Sequence, residues 1–182
     1  MKNKSLDVKN TVMLALFTAL VVVFQCIPIK IATFELALSV PIMIIGAAVC
    51  GTLAGGWLGI VFSVVVLFLP GTAAYLTLAP FGTVLTVLVK GVAAGLVAGV
   101  CYSAFSKINV YVGALIAACC ATLTNTGIFL IGSLLFFDAD LATVLGVFIS
   151  ANFIIELIIN LVLVPTVVRI IGISGARLKL KK

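Results

Sequence analysis

The chain is a succession of apolar runs separated by short breaks: 11–27, 35–50, 53–69, 82–105, 110–137 and 143–171. Each lies near the ~20 residues that a helix needs to cross about 30 Å of hydrocarbon. Runs of this length and number read as six transmembrane helices. Composition agrees: of 182 residues 64% are hydrophobic and only 9% charged, too few to give a soluble domain its polar exterior. The expected fold class is an all-α integral membrane protein, a single six-helix domain over residues 1–182. The second and third helices are the least sharply divided, because Pro41 interrupts one and only Cys50-Gly51-Thr52 separates them.

The opening segment, Met1 to Phe24, has the basic start and apolar core of a secretory signal. Its apolar run nevertheless continues to Ile27 without a small-x-small cleavage site, and Gln25 before Cys26 spoils a lipoprotein-type site, so the segment is expected to stay as the first helix. Orientation follows from the lysine and arginine bias of short loops and helix flanks. Lys2, Lys4, Lys9, Lys107, Arg169, Arg177, Lys179, Lys181 and Lys182 fall on one side of a six-span arrangement, while Lys30, Glu35, Asp138 and Asp140 fall on the other. Both termini are therefore expected in the cytoplasm, and the protein in the plasma membrane of a prokaryotic-type cell.

What is missing narrows the chemistry. With no histidine the chain cannot build a Ser-His-Asp or Cys-His arrangement or a histidine-ligated metal site. It has no G-x-x-x-x-G-K-[ST] phosphate loop and no G-x-G-x-x-G turn, so any ATP-driven movement needs a partner. The five cysteines sit in apolar surroundings without C-x-x-C spacing and read as small buried hydrophobes. Neither an enzyme nor a cofactor or metal is expected. No basic stripe with interleaved aromatics suggests nucleic acid.

Two charges, Lys90 and Glu156, fit neither membrane face and fall inside the fourth and sixth helices. An ionisable group at that depth costs about 2.5–3.5 kcal/mol on insertion scales, so it faces the bundle interior with a partner or a ligand. Asn152, Glu156 and Asn160 recur at i, i+4 and i+8 and share one helical face. That face is either an internal clamp, with Glu156 paired to Lys90, or part of a ligand site in which Lys90 meets an anionic group. Lys90 could also snorkel to the outer surface. The fifth helix adds Thr122, Asn125 and Thr126, with Asn125 near the depth of Asn152. Three helices thus aim polar groups at one cavity in the outer half of the bundle. Above it lie two apolar outer loops, 27–35 and 70–82, the second bracketed by Pro70 and Pro80 and suited to act as a lid.

Small residues recur as Gly51-Gly55-Gly59 and Gly91-Gly95-Gly99, and as Ala15-x-x-x-Ala19 in the first helix. Such faces let helices approach closely, either within the chain or against another membrane protein.

Taken in order, Ala15-Leu16-Phe17-Thr18-Ala19, the Phe34-to-Pro41 approach to the second helix, the 70–82 loop, Lys90-Gly91 opening a glycine face, and Asn152/Glu156/Asn160 resemble the substrate-binding S component of energy-coupling-factor (ECF) vitamin transporters. The resemblance spans nearly the whole chain. It implies a vitamin captured near the outer face and delivered through a transmembrane coupling subunit that rides on two cytoplasmic ATPases. It further implies that Ala15 and Ala19 contact that subunit. Lys90, Asn125, Asn152 and Glu156 would contact substrate, with Tyr75 and Phe34 as lid residues. One tryptophan and no histidine leave no evident aromatic clamp for a large ring, and the glycine-rich signature of biotin members is absent. A small, hydrogen-bonding, carboxylate-bearing vitamin is expected, pantothenate first, with pyridoxine-like or nicotinate-like compounds next.

A competing class is a self-sufficient secondary carrier, with Glu156 and Lys90 as a proton relay and the glycine faces as a homodimer interface. The halves 1–91 and 92–182 show no persuasive self-similarity of the kind such carriers commonly display. An intramembrane enzyme would need a nucleophile or metal cluster, and none is visible.

Overall fold

The computed structural model describes residues 8–27, 29–31, 34–36, 38–137 and 151–179. Among them are seven helices and a hairpin: α1 Val8–Cys26, β1 Ile29–Ile31, β2 Phe34–Leu36, α2 Ser39–Cys50, α3 Thr52–Leu67, α4 Pro70–Leu78, α5 Pro80–Phe105, α6 Val110–Phe136 and α7 Ala151–Lys179. Lys2, Lys4, Asp138, Asp140, Lys181 and Lys182, which carry part of the orientation argument, lie outside the described residues.

Three helices are long and apolar enough to cross a membrane: α5, α6 and the stretch Phe153–Ile170 of α7. They become four if α3 and α4, bent by 80° at their junction, count as one broken span, while α1 and α2 are shorter apolar helices. The expectation of six full-length spans is thus not confirmed: three, or four with the bent pair, qualify among the described residues. The second helix shows why. Residues 29–36, expected as loop and helix start, form an antiparallel hairpin with Lys30 opposite Glu35 in register, so α2 begins only at Ser39. Its 12 residues rise about 18 Å. A helix this short is accommodated because α2 is the hub of the bundle, packing on α1, α3, α5, α6 and α7. Val40, Met43, Ile44 and Ala47 are almost wholly buried. Pro41 does not interrupt the helix as expected. It lies in the first turn, where its missing N–H has no intrahelical partner to lose.

Gly51 makes the break between α2 and α3 with φ 101°, a left-handed backbone that side chains disfavour. The two glycine faces then meet each other. A Cβ on Gly55 would overlap the Gly95 carbonyl, one on Gly59 the Gly91 carbonyl, and one on Gly95 the Gly55 carbonyl. The faces are consumed inside the chain by α3 against α5, which removes them as a homodimer interface. Ser63 reinforces the contact by donating to the Val87 carbonyl at 2.7 Å.

The 70–82 segment, expected as a loop, is a helix. Pro70 occupies the first turn of α4 and Pro80 the first turn of α5, positions where a fixed φ favours a helix start. Both ends of α4 are tied down by hydroxyls that add a second bond to carbonyls already accepting a backbone N–H. Thr72 donates to Val66 O of α3 at 2.7 Å, and Thr83 of α5 donates to Tyr75 O and Ala79 O at 2.8 Å.

On the far side of the bundle α6 and α7 are joined by Asn160, fully buried, whose Nδ2 donates to Thr122 Oγ1 at 2.8 Å. Thr122 in turn donates to Ala118 O of its own helix at 2.8 Å. The internal clamp foreseen on the sixth helix therefore exists, but through Asn160 and Thr122 rather than Glu156 and Lys90. α1 lies outermost, packed on α2 and α3, with Phe17 and Val21 buried, and Trp57 Nε1 of α3 donating to Thr18 Oγ1 at 3.2 Å.

Two outcomes follow. Gly95→Leu is expected to lose about 1–3 kcal/mol or more of stability through overpacking, read as a lowered Tm in detergent. Gly127→Ala, where no atom lies within 4 Å of the added Cβ, should be neutral or stabilising by up to about 1 kcal/mol. Equal Tm values for the two would refute the backbone contact. Asn160→Ala is expected to cost about 1 kcal/mol in the same assay while leaving ligand affinity unchanged, and a loss of affinity would move Asn160 into the binding site.

Candidate functional site

The packing of α3, α5, α6 and α7 leaves a cavity of about 720 Å³ beneath α4. Its depth is set by helix rise. Lys90 lies ten residues into α5, about 15 Å from the Pro80 end, and Asn125 lies eleven residues before the Phe136 end of α6, about 17 Å. The two run antiparallel, so these positions reach the same level. Glu156 joins them from α7, and all three line the cavity.

Lys90 points inward. Its Nζ sits 4.9 Å from the Phe129 ring centroid and 6.0 Å from that of Phe62, so the ammonium is held over aromatic faces rather than snorkelling to the surface. Among the described residues no carboxylate comes within ion-pair distance of it. Glu156 Oε1 and Asn125 Oδ1 are buried without a hydrogen-bond partner among the described residues. An orphaned buried acceptor costs roughly 1–3 kcal/mol, more for a charged group, so these atoms are poised to accept from something the cavity takes in. No group of three metal-ligating side chains comes together among the described residues.

Tyr75 projects from α4 to the same cavity. Its ring meets Phe129 edge-on at 5.7 Å and Phe137 at 5.0 Å, so the short helix is held over the cavity by aromatic contacts to α6. Of the other expected site residues, Phe34 belongs to β2 and Asn152 to the first turn of α7, but their side chains lie outside those the structure describes. Ala15 and Ala19 are exposed on α1, on one face with Val12, Leu16 and Val23, while Phe17 between them turns into the core.

Several lining residues were not foreseen. Gln25, near the end of α1, reaches the cavity, and Ser39 Oγ donates to its Oε1. That bond directs the remaining Gln25 donors away from Ser39. Thr83 and Thr86 precede Lys90 by two turns and one turn on the same face of α5. Phe24, Phe62, Phe129 and Phe137 complete an aromatic lining with Tyr75, which corrects the expectation that the chain lacks an aromatic clamp. The five rings come from four helices and the end of α6; Tyr75 alone is among the expected site residues, and Phe129 lies one turn from Asn125. The arrangement suits capture of a small molecule: mostly apolar walls with a few convergent polar groups.

Comparison with curated proteins and with solved structures returns no match. The sequence model of the family described as ECF transporter, substrate-specific component, matches residues 9–168, from the first turn of α1 through most of α7. With apolar membrane-type helices enclosing a cavity and a match over most of its length, the chain belongs to the substrate-specific components of ECF transporters and is a membrane-embedded transport subunit.

Proposed function

We propose that the chain is the high-affinity capture subunit of an ECF-type importer in the plasma membrane. It binds a small vitamin or related micronutrient on the outer side and delivers it through a transmembrane coupling subunit driven by two cytoplasmic ATPases. On this reading α1, α2, α3, α5, α6 and α7 all traverse the bilayer, both termini are cytoplasmic, and α4 with Tyr75 covers the outward mouth. The observation that carries it is the level at which Lys90, Asn125 and Glu156 converge: three polar groups from three helices at the floor of a cavity, with Asn125 Oδ1 and Glu156 Oε1 lacking a hydrogen-bond partner among the described residues. Lys90, Asn125 and Glu156 contact substrate, with Asn152 and Phe34 as further contacts from α7 and the hairpin.

Exposure of Ala15 and Ala19 supports partner docking. Small side chains on a face turned away from the bundle let a second helix approach closely. A small, hydrogen-bonding, carboxylate-bearing vitamin, pantothenate first, is the substrate this reading favours, its anionic group meeting Lys90.

Glu156→Gln is expected to weaken binding at least ten-fold, about 1.4 kcal/mol, in calorimetric titration of the purified chain with its co-purifying small molecule. Unchanged affinity would remove Glu156 from the site. Ala15→Leu combined with Ala19→Leu is expected to leave that affinity intact while abolishing uptake in cells that supply the coupling module. Normal uptake would place docking elsewhere, and ATP-independent transport by the lone chain in liposomes would establish a secondary carrier instead.

A further inference from the structure

Away from the capture cavity, the start of α6 and the end of α7 leave a second hollow of about 360 Å³, lined by Asn109, Val110, Tyr111, Arg169 and Gly172. Arg169 lies thirteen residues beyond Glu156 on α7, about 20 Å along the helix, so the two do not share a site. The hollow sits where the apolar stretches give way. α6 starts at Val110 after the turn that carries Lys107 and Asn109, and Arg169 is the first of the basic residues Arg169, Arg177 and Lys179 that close α7. In a membrane-embedded chain that is the level of the lipid headgroups, where tyrosine rings are enriched.

Arg169 is exposed, and its guanidinium lies over the Tyr111 ring, 4.3 Å from the centroid. Stacking occupies the face of the guanidinium and leaves the N–H donors at its edge free to meet a phosphate. The bundle itself cannot neutralise this charge: in the seven helices the one acidic residue is Glu156. Asn109 is already engaged within the chain, its Oδ1 accepting from Tyr111 N at 2.8 Å. Gly172 keeps the hollow open, with no atom within 4 Å of an added Cβ. Val110 in the lining and Ile170 beside Arg169 are exposed apolar side chains. The counter-charge therefore has to come from outside the bundle, at a place where the neighbouring surface is apolar. A free phosphate would use the guanidinium and gain nothing from Val110 and Ile170, whereas a phospholipid uses both.

We infer that the hollow between α6 and α7 binds an anionic phospholipid, its phosphate meeting the edge of Arg169 and its acyl chains lying along Val110 and Ile170. The site is independent of what the capture cavity holds. Only the leaflet depends on the orientation proposed above, which makes it the inner one.

The test is native mass spectrometry of the full chain released from nanodiscs made of equal amounts of phosphatidylglycerol and phosphatidylcholine. Phosphatidylcholine shares the phosphate but carries its own cation. The chain is expected to retain phosphatidylglycerol in about ten-fold excess over phosphatidylcholine. Arg169→Gln should bring that excess below about two-fold, and Gly172→Leu, which keeps every charge and fills the hollow, should lower it about three-fold or more. Lys9→Gln removes the same charge from α1, which packs on α2 and α3, and should leave the excess unchanged. An equal loss with Lys9→Gln, or no loss with Gly172→Leu, reduces the preference to the general basic character of that rim and overturns the site. An intact chain without preference overturns it too. Displacement of the lipid by millimolar inorganic phosphate would make the hollow a free-anion site and overturn the lipid assignment, while retention in its presence upholds it.

Discussion

The contact on which the site depends is the meeting of two backbones, α3 and α5, at Gly55 and Gly59 against Gly91 and Gly95. Nothing larger than hydrogen fits there, because each added Cβ would overlap a carbonyl of the opposite helix or, at Gly91, the Ser63 hydroxyl. Successive residues on a helix are turned by about 100°, so fixing Gly91 against α3 fixes the direction of Lys90 as well. The lysine is thereby aimed past α3 toward Phe129 of α6. A wider α3–α5 separation would move Phe62 away from the ammonium. The charge at the floor of the cavity is thus positioned by the residue beside it, which touches nothing in the cavity.

In a low-dielectric bundle every polar group needs a partner, and among the described residues three buried side-chain acceptors lack one: Asn125 Oδ1, Glu156 Oε1 and Asn160 Oδ1. Ser63, Thr72, Thr83 and Thr122 spend their hydroxyls on carbonyls within reach, and Asn160 spends its amide donor on Thr122. These bonds join α3 to α5, α4 to its neighbours, and α6 to α7. Glu156 Oε1 and Asn125 Oδ1 belong to residues that line one cavity together with Lys90, whose ammonium sits over two rings, while Asn160 lies outside that lining. A single orphan would read as local frustration. Two acceptors and an ammonium that line the same cavity are what the capture reading rests on.

Much of this was legible in the residue order. Lys90 and Glu156 stood out because a charge within an apolar run is costly anywhere but in the interior, and the structure turns both to the cavity. Asn125 was found by depth matching across antiparallel helices. Asn160 was placed on the same face as Glu156, and the shared face was correct. Spacing alone could not say that α6 would come close enough at Thr122 to take the asparagine, one turn below the cavity. The 70–82 segment differs from its loop-like sequence because a proline bracketing a loop and a proline opening a helix look the same along the chain. Each opens a helix, and the short helix between them is tied by Thr72 and Thr83 at its ends and by the Tyr75 ring contacts to Phe129 and Phe137.

The sequence by itself determined that the chain lives in lipid, that ATP chemistry must come from partners if transport is driven by it, and which two charges must turn inward. Those conclusions follow from hydrocarbon thickness, missing motifs and the cost of a buried ion, and none needs coordinates. Tertiary structure alone decided that Phe24, Phe62, Tyr75, Phe129 and Phe137 form one lining, that Gln25 joins them, and that the glycine faces meet each other. The physical reason is that a helix in a membrane is as apolar toward lipid as toward its neighbours. A phenylalanine facing the cavity and one facing the bilayer look alike along the chain, and only packing tells them apart.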